Sequence, residues 1–168
     1  MEQRELELAA YLGHEAASAA TGTSGRRVGD FDDLLAFARG LESFDRAVQV
    51  RAALAAVERL PCSDSATRTY VQACVSAVRQ WLLEPTQEQA LEAFRAGQRV
   101  ADYCGHAFNV YRTLGWTPCG IEGVAELLGW PDEARDEPVV SCLVECWQVL
   151  GVKVLEAVSA ELIPRALA

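Results

Sequence analysis

The chain holds a single lysine, Lys153, and only two histidines, His14 and His106. Histidine is the commonest general base and metal ligand, so few positions can carry such chemistry. Positive charge rests almost wholly on arginine, a bias that fits a GC-rich bacterial genome, and it is outweighed to a net charge of −9. That balance speaks against nucleic acid and anionic membrane surfaces, which require positive charge on the protein. No apolar run reaches the ~18 residues of a membrane span. The nearest, Pro138 to Val152, is interrupted by Glu145 and Gln148. The N-terminal MEQRELELAAY lacks a basic region followed by an apolar core, so a cytoplasmic protein is expected.

Catalytic and cofactor motifs are equally scarce. The sequence contains no P-loop, Rossmann glycine pattern, H-E-x-x-H or G-x-S-x-G, and no paired C-x-x-C of a zinc site. The Glu-x-x-His repeats of di-iron bundles are also absent. No cofactor is expected. No segment shows the β-branched alternation of strands.

What is present is apolar and helical. With 168 residues and 51% apolar content, the chain can build one domain with a true core, covering residues 1–168. Its six cysteines read as buried free thiols of a reducing compartment. Apolar spacing predicts helices over Gln3 to Ala20, from Phe31 to a stop at Gly40, and from Ser43 to Leu60 before Pro61. A further helix runs from Ala66 to Glu84 before Pro85. Thr86 and Gln89 have capping-box spacing and open a long helix to Leu114. Ile121 to Leu128 and Val139 to Leu162 complete the set. The expectation is an all-α, single-domain bundle of six to seven helices, with a largely buried C-terminal helix at its centre. A Gly/Ser/Thr loop at 21–29 and an acidic loop at 131–138 connect them.

The segment DYCGHAFN (Asp102 to Asn109) gathers a cysteine, a histidine and a carboxylate. Wound on one continuous helix, residues two apart diverge by about 200°, so Cys104 and His106 cannot share an ion. His106 then joins a solvent stripe with Glu88, Glu92, Arg95, Arg99, Asp102, Asn109 and Thr113. A break at Gly105 would undo this separation. Cys142 and Cys146, four apart, share a helix face and form the alternative metal pair. Gly97, Ala101 and Gly105 make a small-residue face for close helix packing, within the chain or in a homodimer.

Arg112 falls on the apolar side of the same helix and must be paired; Glu145 is its natural partner. The echo LGWTP (Leu114 to Pro118) and LGWP (Leu128 to Pro131) reads as two helix stops of glycine, folded-back tryptophan and proline. Its alternative is a pair of tryptophans, Trp116 and Trp130, framing a ligand. From Cys119 onward nine residues are acidic and three basic, with Asp132, Glu133, Asp136 and Glu137 in one loop. Such a patch can steer a basic protein partner. The favoured function is therefore protein–protein interaction by a small acidic helical protein of immunity (toxin-neutralising) or regulatory type. The alternative is a helical pocket binding a small ligand or metal through Arg112, Glu145, Trp116, Trp130, Cys142 and Cys146, with enzymatic activity left open.

Overall fold

A computed structural model describes residues 31–167, apart from 63 and 132–134. The helix expected at Gln3 to Ala20 and the loop at 21–29 lie outside these, as do Asp132 and Glu133. Among the described residues there are eight α-helices, one 3-10 turn and no strand. They are α1 (Phe31–Leu41), α2 (Arg46–Val57), α3 (Ser65–Leu83), α4 (Gln87–Cys104), the turn His106–Phe108, α5 (Asn109–Trp116), α6 (Gly120–Leu128), α7 (Pro138–Leu150) and α8 (Lys153–Leu167).

The all-α reading holds, and several helix ends follow from local chemistry. Asp64 caps α3, accepting from the amides of Ala66 and Thr67 (both 3.3 Å) and from the Thr67 hydroxyl at 2.7 Å. Thr86 caps α4 by accepting from the Gln89 amide at 3.2 Å. Pro138 occupies the first turn of α7, where its missing N–H costs nothing. Ser43 does not cap α2. Its hydroxyl donates to the Gly40 carbonyl at 2.9 Å, closing the end of α1.

Two helices expected as single pieces are broken, both at glycine. The long helix from Thr86 ends at Cys104 because Gly105 turns to φ 89, ψ 178, a region open only to glycine. The chain re-enters helix at Asn109. The C-terminal helix ends at Leu150 because Gly151 adopts φ 59, ψ −136, and a separate helix, α8, begins at Lys153. The expected count of six to seven is thus exceeded, and the buried central C-terminal helix is replaced by two shorter ones. α8 buries Val154, Leu155, Ala157, Val158 and Leu162, while Lys153, Glu156 and Ala160 face solvent.

The centre is instead α5. It packs against α2, α3, α4, α6 and α7, and it buries Val110, Tyr111, Thr113, Leu114, Gly115 and Trp116. The main core takes Leu34, Val50, Cys74, Ala93, Leu114, Leu143 and Val158 from seven of the helices. A second apolar cluster joins Phe94, Trp116 and Val124, covered by Leu91, Leu128 and Trp130.

Gly97 and Gly115 set the approach of α4 to α5. A Cβ on Gly97 would lie 2.8 Å from the Tyr111 carbonyl oxygen, and one on Gly115 would lie 2.4 Å from that of Ala93. Gly97 therefore serves packing inside the chain, which removes it as the core of a homodimer face. Gly105, expected in the same row, has nothing among the described residues within 4 Å of its would-be Cβ and serves the backbone turn.

Candidate functional site

The break at Gly105 rotates everything after it. Asn109 and Thr113, expected on the solvent stripe, turn inward: Asn109 is half-buried and Thr113 buried. Asp102 stays exposed. Arg112 is half-buried, with its guanidinium 5.2 Å from the centre of the Trp116 ring, a cation–π contact.

Asn109, Arg112 and Trp116 lie three and four positions apart, so they share one face of α5. Each carries a buried polar atom with no hydrogen-bond partner among the described residues: Asn109 Oδ1, Arg112 Nε and Trp116 Nε1. A fourth such atom, Gln98 Oε1, comes from α4 beside Gly97, which abuts the Arg112 backbone. Native interiors leave few polar groups unsatisfied, and each costs about 1–3 kcal/mol. Three of the four lie along one face of α5, and the fourth is on the neighbouring α4.

Glu145 of α7 stands next to this face. Burial raises its carboxyl pKa above the ordinary 4.5, and the Arg112 charge opposes that rise. No ion pair joins the two among the described residues, so Arg112 acts on Glu145 only at longer range. A cleft of about 400 Å³ opens at Glu145, lined by Phe108, Asn109, Tyr111, Gln148 and Val149 and by Leu60 and Pro61. The Phe108 and Tyr111 rings stack with centroids 6.3 Å apart.

The tryptophans of the echo do meet. Trp116 and Trp130 pack edge to face with centroids 5.5 Å apart, and Arg135 covers the Trp130 ring at 4.3 Å. They flank a second cleft, of about 550 Å³, with Arg39, Asp136 and Ser141. The two glycines of the echo differ. Gly129 takes the left-handed cap of α6 at φ 65, with the Trp130 amide returning to Ala125 O at 2.9 Å. Gly115 lies inside the last turn of α5 and is buried, so the stop after it begins at Thr117.

Two carboxylates of the acidic loop are committed within the chain. Glu137 accepts from Arg46 at 2.6 Å and from the Ile121 amide at 3.1 Å, which ties the start of α7 to α2 and α6. Asp136 pairs with Arg39 at 3.6 Å.

Cys142 and Cys146 are fully buried, and their thiols touch. The contact with Cys146, followed by burial, drives the Cys142 thiol well above its ordinary pKa. The Cys142 thiol also faces the Val110 carbonyl oxygen at 3.9 Å. No group of three or more His, Cys, Asp or Glu positioned for a metal occurs among the described residues, so the pair gains no further ligand there.

The chain matches no known family model, no curated protein and no solved structure. Its function is argued from this geometry. Gln98 and Phe108 were not expected as site residues, and Asn109, the sole asparagine of the chain, was expected on the solvent stripe.

Proposed function

We propose that this protein binds a small polar molecule on the face formed by Asn109, Arg112 and Trp116, with Gln98 and Glu145 completing the site. The observation that carries the reading is the set of four buried polar atoms without partners, gathered on α4 and α5. A ligand that hydrogen-bonds to these atoms offsets their desolvation, about 1–3 kcal/mol for each group. The donors are Arg112 Nε and Trp116 Nε1, and the acceptors are the amide oxygens of Gln98 and Asn109. The role is recognition rather than nucleophilic catalysis, because Cys142, whose thiol faces Val110 O on α5, is fully buried and its pKa is raised by contact with Cys146 and by burial.

The test is native mass spectrometry of the purified protein, followed by titration of an uncharged-polar, an anionic and a cationic fragment set. Trp116 indole and Asn109 side-chain amide resonances report the binding. Saturable shifts at both groups, lost in Arg112→Leu, support the reading. Resonances unmoved by every fragment, with a native mass equal to the bare chain, overturn it.

A second reading keeps a basic protein as partner, of immunity or regulatory type in the cytoplasm, favoured by the net charge of −9. Val149, 62% exposed on the rim of the Glu145 cleft, gives such a partner an apolar foothold. Binding that weakens steeply with added salt is its signature.

A further inference from the structure

The cleft at Glu145 has a chemical sign. Among its described lining residues Glu145 is the one carboxylate, and no cationic side chain lines it. Arg112 does not reach this wall; its guanidinium lies over Trp116. The last turn of α7 reaches the cleft through Gln148 and Val149, which brings the negative end of a helix dipole of about half a charge. The first turn of α5 borders the cleft through Asn109 and Val110 and brings a positive end of similar size. The two ends offset one another, so the charge of Glu145, opposed only from longer range by Arg112, decides the sign.

The neutral groups agree with that sign. Asn109 offers an amide oxygen that is buried and lacks a donor. Phe108 and Tyr111 stand side by side in the wall, 25° from parallel, and aromatic faces attract cations. Carboxylate, orphaned acceptor and aromatic wall are the three elements that hold an ammonium or guanidinium group.

We propose that this cleft binds an organic cation, with its charged end at Glu145 and Asn109 Oδ1 and its apolar body along Phe108 and Tyr111. The inference rests on the Asn109 and Glu145 end of the proposed site and names the ligand class there; the donors Arg112 Nε and Trp116 Nε1 lie outside this cleft and are not contacted by the cation. A free amine and a lysine side chain presented by another protein share this chemistry.

The experiment titrates the full chain with benzylamine, benzyl alcohol, benzoate and a short lysine-containing peptide, read by NMR at Asn109 and Trp116 and by calorimetry. Benzylamine is expected to bind at least tenfold more tightly than benzyl alcohol, and benzoate not at all. Glu145→Gln keeps the side-chain shape and should weaken benzylamine at least tenfold while its melting transition remains cooperative. A peptide that binds tenfold more tightly than benzylamine assigns the cation to a protein partner; the reverse order assigns it to a free amine. Equal binding of benzyl alcohol, or binding untouched by Glu145→Gln, overturns the cation while leaving the polar site in place. Failure of all four probes to move Asn109 overturns both.

Discussion

Gly97 and Gly115 bring α4 and α5 into backbone contact: a Cβ on Gly115 would sit 3.0 Å from the Gly97 Cα. Because backbone carbonyls stand in the way, no side-chain rotation can make room. Gly115→Ala is expected to destabilise the protein by about 1–3 kcal/mol, net of the small gain in helix propensity. Gly105→Ala meets no atom within 4 Å, yet φ 89 imposes a strain of about 1–3 kcal/mol. Urea midpoints with unchanged slopes would measure both; a neutral Gly115→Ala would contradict the close approach.

Glu137 joins α2, α6 and α7 through one oxygen atom, so its loss should act beyond a surface ion pair. Its side chain is 18% exposed and that of Arg46 33%. Glu137→Ala leaves both a guanidinium N–H and the Ile121 amide short of an acceptor, at an expected cost of about 1–3 kcal/mol. Glu137→Gln keeps an oxygen for one of them and should fall between. Arg46 also faces Gly120, where a Cβ would come within 2.1 Å of Nη2, so Gly120→Ala should displace the same guanidinium. Equal stability of Glu137→Ala and the parent in guanidinium titrations would disprove the tie.

Glu145 predicts a pH dependence whose sign follows from its burial. Its folded pKa is raised, with desolvation the larger cause and Arg112 opposing. The folded state therefore favours the protonated carboxyl. This contribution to stability is complete below the unfolded value and is lost as pH rises through the folded one. Glu145→Gln should be more stable than the parent at pH 7, and the difference should vanish below about pH 4. Melting temperatures across that range check it, and an advantage that grows on acidification would reverse the assignment. The same substitution should cost ligand affinity, as expected when a binding group is held under strain.

The thiols should separate into classes by accessibility and acidity. Cys62 and Cys104 are partly exposed and should be alkylated first in the native protein. Cys119 is partly exposed, but burial raises its pKa and its thiol donates to Ala90 O at 3.4 Å, so it should react more slowly. Cys74, pushed up to about 12 by burial, should react only on unfolding, together with Cys142 and Cys146. Timed iodoacetamide labelling read by peptide mass spectrometry distinguishes the classes. Early modification of Cys142 or Cys146 would mean that α7 opens in the native state.

Features that depend on near neighbours were legible in the sequence. Pro85 and the Thr86 cap declared their helix ends because a missing N–H or a cap acts within one turn, whereas α2 stops at Val57, short of the Leu60 expected before Pro61. Glycine carried no such unambiguous meaning. Gly97 and Gly115 serve close packing, Gly129 a left-handed cap, and Gly105 and Gly151 breaks in helices that the apolar pattern continues straight through. Which role applies depends on what lies across the interface. The site inherits this division. Arg112 and Glu145 were visible as charges on apolar faces, whereas Asn109 was hidden, because its inward turn exists only once Gly105 has broken the helix. Trp116 and Trp130 were read as parts of two separate stops, and their contact depends on how α6 folds back.

The turn at Gly151 also has a consequence for the order in which the molecule can be assembled. It sends α8 back across α2, an element from the opposite end of the described chain. α2 and α7 are already joined over 91 positions by Arg46 and Glu137. A growing chain that has reached only α7 therefore leaves part of α2 uncovered, and its apolar side chains wait in water until the last helix is made. Closure over so long a stretch of chain is slow. The interval before α8 docks is when this protein is most exposed to aggregation and to proteases.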